Sequence, residues 1–232
     1  MKIAIHQPNY FPWLGYFIKA DCSDHFVFHD DVALNMRSYT RRCKIQSASV
    51  KEQWLSIPVS SAANEKISLT LVNNDIPWRK THIESIQKAY EKSPFFTSVF
   101  PFIEGLIKNT AQLTNLAEIN KNIVLELFQL LDIKTRISNS SDFQLPYAKQ
   151  AYNIALVQKL GGTSYLSGTG AKAYQIDDVF HQASIQLDYI YSLDYLVANA
   201  PTGFNPHLSI IDALFTIGIT AAKDLISSYP YG

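Results

Sequence analysis

In the stretch Lys2-Ile3-Ala4-Ile5-His6-Gln7-Pro8-Asn9-Tyr10-Phe11-Pro12-Trp13-Leu14-Gly15-Tyr16-Phe17, a short apolar run breaks into a segment carrying an imidazole, an amide and several rings around two prolines. Each proline fixes φ near about −65° and removes a backbone donor, and each biases the residue before it, Gln7 or Phe11, toward extended backbone. One continuous strand is therefore excluded. The stretch predicts a buried first strand over Lys2 to Ile5 that delivers His6 and Gln7 to its C-terminal end. A rigid, aromatic-walled loop and a helix from near Trp13 follow. In open α/β sheets, ligands sit outside the C-terminal ends of strands, where such a loop lies. Residue types alone leave two readings of His6 open: a functional imidazole, or a satisfied structural histidine beside rings that fill core.

Working outward, Tyr16 to Cys22 reads as a short helix and His25 to His29 as a second strand, together the βαβ unit of a parallel sheet. Asp30 and Asp31 follow. Such a pair can bind a cation, orient a base or bond a ribose, and one of the two can simply cap the next turn. Asn35-Met36-Arg37-Ser38-Tyr39-Thr40-Arg41-Arg42-Cys43-Lys44 concentrates cations and hydroxyls in an otherwise neutral chain. This block suits a phosphate or pyrophosphate; its other reading is a solvated charge run.

Gln53 to Val59 and Lys66 to Val72 are predicted strands, the first at an edge because of Pro58, the second half-buried. Pro77 opens a helix to about Lys92, with Lys80 and His82 near its N-terminus. Phe95 to Lys108 and Thr114 to Leu131 are further helices, the former interrupted by Pro101 and the latter with an apolar stripe at helical spacing. Lys134 to Ser138 is a short strand, Ala148 to Leu160 a helix ended by Gly161-Gly162, and Ser164 to Ser167 a buried strand. Gly168-Thr169-Gly170-Ala171 follows directly, small residues that let a ligand approach the backbone. Tyr174 to Gln182 is expected to be helical, Ile185 to Ile190 a strand, and Ala200 to His207 a loop. Leu208 to Ile217 begins the last helix, with His207 or Ser209 near its cap and Asp212 one turn in. The pattern predicts one Rossmann-like α/β domain over residues 1–232: a mostly parallel sheet, helices on both faces and a mainly helical insertion at 77–131.

The chain has 232 residues, 47% hydrophobic and 17% charged, with zero formal net charge and 13 each of Tyr and Phe. That is the composition of a well-cored globular protein, with no global argument for nucleic acid or an acidic membrane surface. A near-neutral balance permits homo-oligomers. Cys22 and Cys43 form no CxxC pair, so no metal site is expected and a reduced, cytoplasmic protein is the default. The first strand begins at Lys2, which leaves no room for a signal peptide. No apolar run approaches the roughly 18 residues that span a bilayer, so membrane insertion is not expected.

The block Ile5 to Phe17 resembles the N-terminal signature of the WbqC-like family. The resemblance continues through Trp54-Leu55-Ser56-Ile57-Pro58-Val59, Trp78-Arg79-Lys80-Thr81-His82, Tyr165-Leu166-Ser167-Gly168-Thr169-Gly170-Ala171 and Leu208-Ser209-Ile210-Ile211-Asp212-Ala213-Leu214-Phe215. These blocks keep their order over almost the whole chain. The sequence departs from the family pattern at Val32-Ala33-Leu34 and in the short segment before Asn205, where a retuned substrate is expected. Family members are linked to O-antigen and other surface-polysaccharide biosynthesis, and to placing an aminoacyl group such as glycyl on the amine of a nucleotide-linked (dTDP-type) amino-deoxy sugar. The resemblance thus implies an N-acyltransferase.

Its acyl donor would be a co-substrate: a carrier-protein or CoA thioester, or an ATP-activated amino acid, with no tightly bound cofactor. An acyl carrier protein is a possible partner. For that chemistry His6 is the expected general base, and Gln7 or backbone donors at Gly168 to Gly170 the oxyanion stabilisers. Asp30 or Asp31 would orient the amine, Arg37, Arg41 and Arg42 would take the pyrophosphate, and Tyr10, Trp13 or Tyr16 would stack on base or sugar. Asn35, Lys80, His82, Ser167, His207, Ser209 and Asp212 complete the candidate substrate contacts. A cysteine acyl-enzyme is less favoured, since only Cys43 has cationic neighbours that lower a thiol pKa. An ATP-using nucleotidylyltransferase or ligase lacks its HxGH motif here, and a non-catalytic sugar-nucleotide-binding protein is the third class.

Overall fold

The computed structural model describes residues 1–47, 51–60, 64–173 and 175–231. At its centre, β1 (Lys2–His6) is buried on both sides, which suits a strand covered by helices above and below. In chain order there follow α1 (Leu14–Asp21), β2 (His25–Phe28), β3 (Arg42–Gln46), β4 (Glu52–Ser56), α2 (Trp78–Tyr90), α3 (Phe96–Asn109), α4 (Leu116–Leu130), β5 (Arg136–Asn139), α5 (Lys149–Lys159), β6 (Ser164–Gly168), α6 (Asp177–Gln182), β7 (Gln186–Ile190), α7 (Ser192–Asn199), α8 (Ile210–Thr216) and α9 (Gly218–Ser227).

Five strands form one parallel sheet in the order β5-β2-β1-β6-β7. This is the doubly wound, Rossmann-like α/β arrangement, in which the strand order reverses between β1 and β6. Side chains divide by strand alternation. Ala4, Phe26, Phe28, Leu166 and Ile190 face α1, α4 and the C-terminal helices in one apolar cluster. Ile3, Ile5, Val27 and Tyr165 face α5 and α6 in the other. The first cluster also takes in Trp78, Ile86, Val99 and Ile103, so α2 and α3 pack onto the same core through α4 and the β3–β4 pair.

Several expectations are corrected. Lys66 to Val72 is not a strand but a 3-10 turn at Ile67–Leu69 with isolated bridges at Lys66, Leu71 and Val72. Thr70 Oγ1 donates to the Lys66 carbonyl at 3.0 Å and closes the turn, leaving Leu69 and Leu71 exposed. The basic block runs into β3, which pairs antiparallel with β4 outside the main sheet. Pro101 lies within α3 without ending it. A helix, α7, fills the segment after β7. The last helix is two, because Gly218 sits at φ +80 against the Phe95 ring, where a Cβ would come within 2.7 Å. The expected helix from Tyr174 begins at Asp177, and Tyr174 itself lies outside the described residues. Phe11, expected to be extended before Pro12, instead takes φ +39. Burial of its ring against Tyr10 holds that left-handed backbone in place.

Asn120 of α4 anchors the opening loop from below. Its amide nitrogen donates to the Pro8 carbonyl at 2.8 Å and to the Thr40 carbonyl at 2.6 Å, all of it buried. Asn120→Ala is expected to cost about 1–3 kcal/mol for each carbonyl left without a donor, measured by urea denaturation against wild type.

Candidate active site

Where β1 and β6 part, a cleft of about 1130 Å³ opens at the carboxyl ends of the strands. That is slightly above the range of about 300–1,000 Å³ typical of small-molecule sites, room enough for a ligand the size of a nucleotide sugar. Its walls come from the end of β1, α1, the residues after β2, the start of α5 and the Gly168-Thr169-Gly170 turn after β6. A smaller cavity of about 240 Å³, lined by Phe11, Cys43, Leu208 and Ser209 among others, adjoins it; Trp13, Tyr39 and Leu193 line both. The Trp13 indole lies over Gly15, where a Cβ would meet it at 2.2 Å. Gly15 therefore lets the indole fold back onto α1.

His6 ends β1 and packs against Tyr16, ring centroids 4.6 Å apart. Its Nδ1 is buried with no hydrogen-bond partner. Burial first, then Lys19 and His29 nearby, hold its pKa well below 6.5. It is therefore a neutral base at neutral pH. Lys19 lies one helical turn on from Gly15 and Tyr16, only 5% exposed, its Nζ donating to the Ile5 carbonyl at 2.9 Å. Burial lowers its pKa to about 7. His29, just after β2, stacks on Tyr152 of α5 at 5.1 Å with an interplanar angle of 15°. Its Nε2 is 3.7 Å from Asp31 Oδ1, and desolvation lowers its pKa despite that carboxylate.

The two adjacent aspartates separate sharply. Asp31 faces the cleft, accepting from Tyr152 OH at 2.8 Å and from Ser140 Oγ. Asp30 is fully buried and spent on structure: Ser141 N, Ser141 Oγ and Lys121 Nζ all donate to it. With its acceptors engaged, Asp30 is not placed to orient an amine.

Of the residues expected from sequence, the cleft brings together His6, Gln7, Trp13, Tyr16, Asp31, Ser167, Gly168 and Gly170. Tyr10 and His82 are instead bonded to each other in the core, Tyr10 OH to His82 Nδ1 at 2.9 Å, and burial lowers His82 to about 4. Asp212 is buried, accepting from Tyr90 OH and the Asn205 amide, with its pKa raised by desolvation to about 6. Ser209 caps α8 and, with His207, lines the small cavity. Asn35 and Arg37 form an exposed turn, Asn35 Oδ1 accepting from the Arg37 amide.

Arg41 and Arg42 stand at the start of the β3–β4 pair, the Arg42 guanidinium 4.1 Å above the Trp54 ring. Lys80 is exposed and paired with Glu84 at 3.9 Å. Burial pushes the Cys43 thiol up, so its cationic neighbours do not activate it. Lys19, His29, Tyr152 and Ser192 line the cleft without having been singled out for it. Lys19 had a signal: it falls at i+4 and i+3 from Gly15 and Tyr16, on their helix face. Tyr152 had none, since its role arises from α5 meeting the end of β2.

Lys19 gives a signed prediction for stability. The unfolded lysine keeps its proton up to 10.5, whereas the folded one loses it near 7. Across that window the unfolded chain binds more protons, so stability rises with pH, and the full penalty applies below about pH 7. Lys19→Met is expected to stabilise the fold at pH 7 by about 2–4 kcal/mol, the gain fading toward the lysine's unfolded pKa. Melting temperatures of both proteins across that pH range check it.

A family model described as the WbqC-like protein family matches residues 7–224. The chain is also 32% identical over 225 residues to the uncharacterized protein Rv1507c of Mycobacterium tuberculosis, an alignment covering 95% of each chain. No solved structure matches it. The matched range takes in α1, the end of β2, the start of α5 and the turn after β6, all of which build the cleft, and the chain belongs to the WbqC-like protein family.

Proposed function

We propose that the protein is a cytoplasmic N-acyltransferase of surface-polysaccharide biosynthesis. It places an aminoacyl-type group on the amine of a nucleotide-linked amino-deoxy sugar. The observation that carries the reading is His6: an imidazole kept neutral by burial, its Nδ1 without a partner, at the switch point of a doubly wound sheet and facing a cleft of suitable size.

Amide formation needs a base for the amine, a donor for the oxyanion and correct placement. As the sugar nitrogen attacks the acyl carbonyl carbon, the new C–N bond forms and the bond to the leaving group breaks. His6 takes the N–H proton and passes it to the departing thiolate when the donor is a thioester. Gln7 supports the oxyanion role: its Oε1 accepts from Thr40 Oγ1 at 3.0 Å, which leaves the amide nitrogen as the donor. Asp31, rather than Asp30, is placed to orient the amine.

Incubation of the protein with dTDP-amino sugars and with CoA thioesters or an amino acid plus ATP, read by mass spectrometry, tests the reaction. A protein-dependent acyl mass gain on the sugar is expected; binding without any mass gain overturns it. His6→Asn is expected to lower turnover by about 10²–10⁴-fold. Because the His6 pKa is depressed, the ratio of wild-type to His6→Asn turnover, in which the titrations of the sugar amine and of Lys19 cancel, should hold as pH falls to 6.5 and drop only below it. A ratio that already falls above that pH would remove His6 from the role.

A further inference from the structure

Charge in the cleft is one-sided. Lys19, Lys66 and Lys149 line it against a single carboxylate, Asp31, whose two oxygens are already engaged by Tyr152 and Ser140. Lys19 is the most telling of the three. It is buried to 95% of its surface, and among the described residues the one acceptor it bonds is a main-chain carbonyl, that of Ile5. Buried ammonium groups ordinarily have a carboxylate or an equivalent set of acceptors. Beside it, His6 Nδ1 is buried without a hydrogen bond, against the rule that buried polar atoms are paired, while His29 Nε2 faces Asp31 Oδ1 at 3.7 Å, beyond hydrogen-bond distance.

Helix α5 brings a fourth element. Its N-cap residue, Ala148, offers no side-chain acceptor, so the free amides of the first turn are uncapped. Ala148, Lys149 and Gln150 all line the cleft. His29, stacked on Tyr152 one turn into α5, ties that helix start to the His6–Lys19 side. Uncapped helix N-termini favour anions, through aligned donors and the helix dipole.

We propose that the space bounded by Lys19, His29 and the N-terminus of α5, beside His6 and leaving its imidazole free for the amine, receives a phosphate group of the substrate. This reassigns phosphate recognition from the arginines of the β3–β4 region to the switch point of the main sheet. The inference rests on the proposed reaction for its source: either the diphosphate bridge of a nucleotide-linked sugar or the phosphates of ATP. The chemistry recognised is the same in both.

Calorimetry with inorganic pyrophosphate, in phosphate-free buffer at low salt, tests it. Saturable binding is expected, weakened tenfold or more by Lys19→Met and unchanged by the double variant Arg41→Gln, Arg42→Gln. A melting temperature of Lys19→Met at or above wild type certifies its fold. Displacement of pyrophosphate by dTDP but not ATP identifies the sugar-nucleotide source, and by ATP but not dTDP the activating nucleotide; either outcome supports the site. Absence of saturable pyrophosphate binding overturns it, as does binding that survives Lys19→Met and is lost in the arginine double variant. The two readings also separate. Phosphate binding that depends on Lys19, with no acyl transfer to any sugar, sinks the proposed reaction alone. Full acyl transfer at wild-type KM by Lys19→Met sinks this inference alone.

Discussion

Main-chain pairing along β1 has to stop where Pro8 offers no amide hydrogen, and β6 turns into a 3-10 helix at Thr169, directly after its last pairing with β7 at Gly168. The strands on either side of the reversal are therefore released from one another at their carboxyl ends. Around that gap the loop from Gln7 to Pro12 is held rather than left to move. Asn120 fixes the Pro8 carbonyl, the Tyr10 amide donates to the Tyr39 carbonyl, and the Ile210 amide donates to the Pro12 carbonyl. A rigid rim follows from those bonds, and it positions His6 and Gln7 at the floor of the cleft.

Desolvation does most of the chemical tuning. His6, Lys19 and His29 are all shifted toward their neutral forms mainly by burial, and their mutual repulsion adds to it for the histidines. Lys19 is held this deep with no carboxylate partner among the described residues, which costs stability. Asp30 and Asp31 make the complementary point. Neighbours in sequence just after a strand end, they flank the same Ser140 hydroxyl, yet one is the counter-ion of Lys121 and caps a buried turn while the other is a wall of the cleft.

Strong periodicity made much of the fold legible in advance. The double-faced apolar run of β1, the βαβ unit to β2 and the stripe of α4 through Leu116, Ile119, Ile123 and Leu127 are local patterns with one good packing solution. Lys66 to Val72 misled because Ile67, Leu69 and Leu71 alternate like a strand, yet among the described residues the segment makes isolated bridges rather than pairing with a named strand. The basic block folds otherwise than its charge alone suggested: Cys43 turns inward on β3 and Arg42 lies over Trp54, while Ser38 and Tyr39 of the same block line the cleft. Among motif residues, Tyr10, His82 and Asp212 carried polar atoms that chemistry would recruit; in the fold they satisfy one another or their neighbours in the core.

From the amino-acid order alone came the α/β class, the strand that ends in His6, the loop stiffened by two prolines and the small-residue turn at Gly168 to Gly170. These follow from short-range constraints: side-chain alternation, fixed proline torsions and the steric freedom of small residues. Only the tertiary structure decided that Lys19 and His29 join His6, that Asp31 rather than Asp30 faces the cleft, and that the arginines stand aside on the β3–β4 pair. Those outcomes depend on which helix covers which strand end, and so on contacts between residues far apart in the chain. Local pattern is blind to them.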